Sequence, residues 1–277
     1  MKPSNMTLIP VLLLVFAAAC IASIAVVRLS DGTLQMKVSP DPDEIFIDGL
    51  TNIYVDVTNR DVKTLNAVSI DVFETGLLEL PDKKEKCEKL GVEMKPNQSF
   101  TLRCTLRARP DITESSVQSD IHVRAQFETK LNIVQPVEFI TQDWFERQRL
   151  LGEQPKPRKY AYADKNVLVT VEFSDGMPLV VRDNTKYYMY LTIENIGDGV
   201  MTQIAPPTIS YSDKSDFARG VAKECKFETL YIVGKKFPRV ACEITQPDIA
   251  DQKTIDLILG VAYNYDIRDT ATVKIKK

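Results

Sequence analysis

The 277-residue chain has one histidine, one tryptophan and 11 glycines. A single histidine excludes most histidine-ligated metal sites and most catalysis by a histidine base. Glycine-rich phosphate-binding motifs, an HExxH metal motif and a GxSxG nucleophile elbow are also missing. Basic residues are not in excess, because 35 lysines and arginines stand against 38 acidic residues. This balance argues against a nucleic-acid partner. We therefore predict a non-enzymatic protein without catalytic, cofactor-binding or metal-binding residues.

Residues 7–27 form an apolar run of 21 residues without a charge. As a helix this run would be about 30 Å long, which matches the hydrocarbon core of a bilayer. Lys2 precedes the run, Arg28 follows it, and acidic residues begin at Asp31. The positive-inside rule then favours a cytoplasmic N-terminus of residues 1–6. We predict a retained signal anchor over residues 7–28, inserted in the cell membrane through residues 7–27, with the rest of the chain extracytoplasmic.

Two alternatives stay open for this segment. Ser23-Ile24-Ala25 offers small residues for the cleavage of a signal peptide. Cys20 follows three alanines, as in a lipoprotein signal, although the leucine that usually precedes the small residues is missing. A pilin-type leader would need a basic–glycine pair before the apolar run, and residues 2–6 do not supply it.

Four cysteines beyond the apolar run form two pairs with the same spacing. Cys87 and Cys104 are 17 residues apart, and so are Cys225 and Cys242. Even pairs downstream of an export signal are typical of disulfides. Zinc would need CxxC or Cys/His spacing, which is absent, and free buried thiols are the other alternative. We predict two local disulfides, each closing a loop between two strands.

The equal spacing of the cysteines belongs to a longer internal repeat. Four anchors recur in order at offsets of 136 to 138 residues: Asn59 and Asn195, Cys104 and Cys242, Pro110–Ile112 and Pro247–Ile249, and Ala125 and Ala262. Ordered matches at nearly one offset indicate a duplication. In each copy, short segments rich in Val, Ile, Tyr, Phe and Thr alternate with a period of two between turn-forming clusters. This pattern predicts two β-sandwiches of immunoglobulin type.

The segment YYMYLTIENIGDG at 187–199 resembles the strand and turn of CARDB-type immunoglobulin-like modules. The resemblance covers about 15 residues per copy, and the first copy departs from it because VDVTNRDVK at 55–63 has no glycine. It implies tandem sandwiches of surface or adhesion proteins, and no catalytic residue comes with it.

A different segment separates the two copies. TQDWFERQRLL at 141–151 is predicted to be a short amphipathic helix, with Thr141 as its N-cap and Trp144, Gln148 and Leu151 on one face. A Pro-rich basic connector follows. The predicted all-β organisation is therefore an N-terminal transmembrane helix, sandwich 1 at 34–140, the short helix and linker at 141–165, and sandwich 2 at 166–277.

Three further side chains are singled out by their context. Asn97 lies in an Asn-Gln-Ser sequon before a strand and is a candidate glycosylation site. Trp144 either packs the helix onto the first sandwich or contacts a partner, since tryptophan is enriched at interface hot spots. His122 lies in an alternating strand and is predicted to be a strand residue without a catalytic role.

Together these features predict a single-pass membrane protein. Its two disulfide-locked immunoglobulin-like domains would serve protein–protein interaction, adhesion or cell-envelope assembly, with other envelope or membrane proteins, or a second copy, as partners. One alternative is an extracytoplasmic carbohydrate-binding or carbohydrate-active protein, for which Tyr188 and Tyr190 form an aromatic cluster unless they pack in the core. A further alternative is a pilus-like filament subunit.

Overall fold

Apart from one short helix, the described residues form β-strands and their connections. The computed structural model describes residues 33–81, 87–154, 156–183, 185–211, 235–244 and 246–277. Its elements are, in chain order, β1 (Leu34–Asp41), β2 (Glu44–Phe46), β3 (Leu50–Asn59), β4 (Leu65–Glu74), β5 (Leu78–Glu79), β6 (Glu88–Met94), β7 (Ser99–Ala108), β8 (Ser116–Thr141), α1 (Gln142–Leu150), β9 (Lys159–Ala163), β10 (Val167–Phe173), β11 (Leu179–Val181), β12 (Tyr187–Asn195), β13 (Val200–Ile204), β14 (Thr208–Tyr211), β15 (Val240–Ile244) and β16 (Gln252–Lys276). The all-β class predicted from the sequence is confirmed.

Strand β12 illustrates why these segments are extended. Tyr187, Met189, Leu191 and Ile193 are buried, whereas the residues between them are half-exposed. Side chains of a strand point alternately to its two faces, so this alternation buries one face and leaves the other in solvent. Aromatic and β-branched residues favour such a half-buried surface.

Two four-stranded sheets pack against one larger sheet. The small sheets have the orders β1-β3-β7-β5 and β15-β12-β10-β9. The larger sheet has the main order β13-β16-β8-β4-β6, with β2, β11 and β14 paired to its long strands. Buried apolar side chains of all three sheets form one continuous core. Each small sheet covers one half of the larger sheet, which gives two sandwich-like units, called here the first and the second sandwich.

The long strands β8 and β16 run through both sandwiches. They are antiparallel neighbours throughout the 25 residues of β16, from Gln252 opposite Ile140 to Lys276 opposite Ser116. At about 3.4 Å per residue this pair extends over about 85 Å. The first half of β8 and the second half of β16 complete the first sandwich, and the other two halves complete the second.

This sharing of strands differs from the tandem arrangement that the sequence predicted. Strand β2 of the first copy pairs with the end of β16, and β11 of the second copy pairs with the end of β8. The second half of β16 therefore belongs to the first sandwich, although it lies more than 100 residues beyond the expected boundary at 140. Backbone hydrogen bonds join the two units into one body across this pair.

The predicted helix is present as α1, and the predicted linker is partly a strand. The hydroxyl of Thr141 accepts a hydrogen bond from the backbone N–H of Trp144, as expected of the N-cap. Trp144 and Gln148 are half-buried, but Leu151 is 79% exposed, so it does not share their packing face. Within the expected linker, β9 pairs with β10 and extends the second small sheet.

Residues 7–27, predicted to be the membrane anchor, lie outside the described residues. Within the described part of the chain, none of the helical structure has the length and apolar character needed to span a membrane.

Candidate functional site at the waist

The two sandwiches meet at a region that we call the waist, defined by Thr33, Phe127, Asn166 and Tyr265. Phe127 lies directly opposite Tyr265 in the β8–β16 pair, with ring centroids 5.7 Å apart. Thr33 precedes β1 and Asn166 precedes the equivalent strand β10. The buried Asn166 amide Nδ2 donates to the Thr33 Oγ1 at 2.9 Å. Equivalent positions of the two copies thus contact each other here.

A buried asparagine ends a strand at the waist in each copy, as the repeat predicts. Asn59 ends β3, and its Oδ1 accepts from the backbone N–H of Asp61 at 2.8 Å. Its Nδ2 donates to the carbonyl oxygens of Lys63 and Met94, each at 2.9 Å. The side chain thereby satisfies backbone groups of the turn that follows the strand.

Asn195 ends β12 and makes the same two turn contacts. Its Oδ1 accepts from the backbone N–H of Gly197 at 3.2 Å, and its Nδ2 donates to the carbonyl oxygen of Gly199 at 2.8 Å. Tyr265 adds a contact, because its hydroxyl donates to Asn195 Oδ1 at 3.1 Å and accepts from the Gly199 N–H at 2.9 Å. The two asparagines are therefore structural equivalents.

Two buried tyrosine hydroxyls of β16 hold the turns of the second sandwich. The Tyr263 hydroxyl donates to Asp164 Oδ2 at 2.6 Å and accepts from Asn166 Nδ2 at 3.3 Å. Burial raises the pKa of Tyr263 well above its ordinary value and that of Tyr265 to about 12. Both hydroxyls remain protonated at neutral pH and act as hydrogen-bond donors.

One anchor of the sequence repeat is not equivalent in the fold. Ala125 is buried and faces the core, whereas Ala262 faces outward, opposite Lys130. Because strand side chains alternate, an odd offset of 137 residues moves a residue to the other face of the sheet. The even offset of 138 residues, which the cysteines have, relates Phe127 to Tyr265 and preserves the buried face.

A groove of about 520 Å³ crosses the waist on the outer face of the larger sheet. Outward-facing side chains of the two long strands form its floor: Glu128, Lys130, Asn132, Ala262 and Asn264. The connection between β3 and β4 forms one wall with Lys63, and the other wall is β13 with Gln203. Sequence analysis missed this groove because its residues come from four separate segments and form no motif.

Both walls of the groove are shaped by β-bulges. The pairing of β4 with β8 shifts between Asn66 and Ser69, and Ala67 there has a left-handed backbone with φ of 53°. The pairing of β13 with β16 shifts between Met201 and Gln203. Bulges bend a strand and redirect its side chains, and they are frequent beside binding sites.

The first predicted disulfide is present. Cys87 is bonded to Cys104, with Cα atoms 5.3 Å apart. It joins the edge of the larger sheet, where β6 begins, to β7 in the first small sheet. Cys242 is buried and also disulfide-bonded, but Cys225 lies outside the described residues, so the second pairing stays a prediction.

The other predicted residues lie far from one another. Asn97 is exposed at the tip of the turn between β6 and β7, with φ of 60°, and glycosylation there stays a prediction. Trp144 is half-buried on α1, its indole Nε1 buried without a hydrogen-bond partner among the described residues. His122 faces outward on β8, where its Nδ1 lies 3.0 Å from the Thr270 hydroxyl.

Tyr188 and Tyr190 lie on the outer face of the second small sheet, with ring centroids 6.5 Å apart. Core packing, the default expectation for them, is wrong, because their neighbours Tyr187 and Met189 fill the core instead. The Arg239 guanidinium lies 3.9 Å from the centre of the Tyr190 ring, which covers one face of that ring.

No family model and no curated protein sequence matches this chain. Within the described ranges, no three His, Cys, Asp or Glu side chains are grouped for a metal ion.

Proposed function

We propose that this chain is a non-enzymatic, single-pass membrane protein that presents two immunoglobulin-like sandwiches outside the membrane for protein–protein interaction, adhesion or envelope assembly. The observation that carries the proposal is the shared β8–β16 pair, which makes one long body of two sandwiches. A disulfide between the sheets of the first sandwich adds to the support, since disulfides persist in oxidising, extracytoplasmic compartments.

The position of Thr33 suggests how this body would be attached. Only residues 28–32 separate Thr33 from the apolar run that ends at Val27. A fully extended chain of that length reaches about 20 Å. An anchor at residues 7–27 would therefore hold the waist, rather than one end of the body, near the bilayer. Both sandwiches would then extend sideways from the anchor and offer surfaces to neighbouring proteins.

Helix α1 is the surface on which we expect a partner to bind. Leu150 and Leu151 are 83% and 79% exposed at its end, beside the half-buried Trp144. Adjacent large apolar side chains in solvent are typical of protein contacts, and tryptophan is enriched in such contacts.

The test is extraction of the full-length protein from native membranes in mild detergent, followed by particle sizing and mass spectrometry of co-purifying chains. We expect a particle with defined partner chains, or one of several copies, that dissociates when Leu150 and Leu151 are both changed to Glu. Val62→Glu is the matched control, because Val62 is 87% exposed in the loop between β3 and β4, away from the helix. A lone monomer, or recovery of the chain without membranes, would contradict the proposal.

A further inference from the structure

The waist groove contains polar side chains that have no hydrogen-bond partner among the described residues. The amides of Asn66, Asn132, Gln203 and Asn264 line it and make no side-chain hydrogen bond within the described part of the chain. Each amide offers both donors and acceptors. Four unengaged amides around one groove are suited to a ligand whose own groups both donate and accept, as sugar hydroxyls do.

Charged groups of the groove are also unpaired among the described residues. The ammonium groups of Lys63 and Lys130 and the carboxylate of Glu128 form no salt bridge there. Both lysines line the groove, and the Lys63 Nζ lies 3.4 Å from the backbone oxygen of Lys130. Ammonium groups suit a carboxylate of the ligand, and Glu128 can accept from a hydroxyl.

The floor of the groove disfavours a peptide. Among the described residues, the floor offers Ala262 and the wall Ala205 as small apolar contacts, too little to receive large apolar side chains of a peptide.

We propose that the waist groove binds an oligosaccharide that carries a carboxylate group. The amides and Glu128 contact its hydroxyls, and Lys63 and Lys130 contact its carboxylate. The groove volume lies in the range of known ligand sites. The floor is the outward-facing side of the larger sheet. On the buried side, the Tyr263 hydroxyl contacts Asn166, which also contacts Thr33. The proposal does not depend on the membrane anchor, and either can fail without the other.

The experiment is binding of the purified full-length protein to an array of defined carboxylated and neutral oligosaccharides, followed by calorimetric titration with the strongest carboxylated one. We expect carboxylated glycans to bind about tenfold or more tightly than their carboxyl-reduced counterparts. The Lys63→Gln/Lys130→Gln variant should lose this preference and most of its dependence on salt. Ala262→Tyr should weaken binding by about tenfold or more, because the new ring fills the floor.

Thr272→Tyr is the matched control, since Thr272 is exposed on the same outer face of β16 but does not line the groove. It should leave binding unchanged. Asn132→Leu gives a second test should Ala262→Tyr fail to fold, and it should also weaken binding. The proposal is overturned if no carboxylated glycan binds, if the groove variants bind like the unmodified protein, or if Tyr188→Ala abolishes binding instead.

Discussion

The two turns at the waist have the same hydrogen-bond plan and different residues. Asn59 and Asn195 each accept from the N–H two residues on and donate to the carbonyl four residues on. The first turn carries Asp61 and Lys63 where the second carries Gly197 and Gly199. This hydrogen-bond pattern therefore requires the asparagine, and it does not require glycine.

A neighbouring side chain explains the glycines of the second turn. Neither Gly197 nor Gly199 is among the residues with a positive φ, so backbone conformation does not demand them. A Cβ at position 197 would overlap the Tyr265 hydroxyl oxygen, and one at 199 would lie 2.5 Å both from a carbon of the same ring and from the backbone oxygen of Asp266. In the first copy the residue equivalent to Tyr265 is Phe127, which has no hydroxyl. The Tyr265 hydroxyl therefore accounts for the glycine at 197, whereas at 199 the Asp266 backbone also excludes a side chain.

Removal of a disulfide is the test of the similarity between the two sandwiches that has the largest expected effect on stability. Cys87→Ala/Cys104→Ala should lower the free energy of unfolding by about 3 kcal/mol, because it opens a loop of 17 residues. If Cys225 and Cys242 are paired as predicted, opening their equal loop should cost a similar amount. Denaturant unfolding of the full-length variants measures both values. The intact mass should rise on reduction by the hydrogens of two disulfides. A rise that corresponds to only one disulfide would contradict the predicted equivalence of the two sandwiches.

The sequence prediction of this fold rested on the alternation of apolar and polar residues and on the spacing of the repeat. It did not include the pairing of strands that are far apart in the chain. The buried face of β12 and the pairing of Cys87 with Cys104 follow from local patterns, and both are found in the structure. That β8 would pair with β16 along its length depends on contacts between residues over 100 positions apart. Such pairing leaves no local signal, so the strand exchange between sandwiches and the groove above it were not predictable.

Gly197→Ala sharpens the comparison of the two waist turns. It should lower the free energy of unfolding by about 2 kcal/mol, because the new methyl group overlaps the buried Tyr265 hydroxyl. The matched variant Asp61→Ala, at the equivalent position of the first turn, loses one exposed hydrogen bond to the Lys63 N–H and should cost about 0.5 kcal/mol. Denaturant titration of the two variants measures the difference.

A second substitution separates the hydroxyl from the turn itself. In a Tyr265→Phe background, Gly197→Ala should cost about 1 kcal/mol less than in the unmodified protein, since the overlapping oxygen is gone. Additive effects in this double-mutant cycle would mean that glycine is needed for another reason.

Tyr265→Phe alone should cost about 1 kcal/mol at neutral pH, from loss of the hydrogen bonds to Asn195 and Gly199. The effect that distinguishes this variant is the change of its stability at high pH. Burial raises the pKa of Tyr265 to about 12 from an ordinary value near 10. The fold thus favours the protonated hydroxyl, and this contribution is complete below pH 10 and is lost as the pH rises through 12. The variant should lose less stability than the unmodified protein between these pH values, whereas Tyr188→Phe, on the outer face, should follow the unmodified protein. Equal slopes for Tyr265→Phe and the unmodified protein would mean that the hydroxyl is not held in its buried contacts, and the account of the glycines would fail with it.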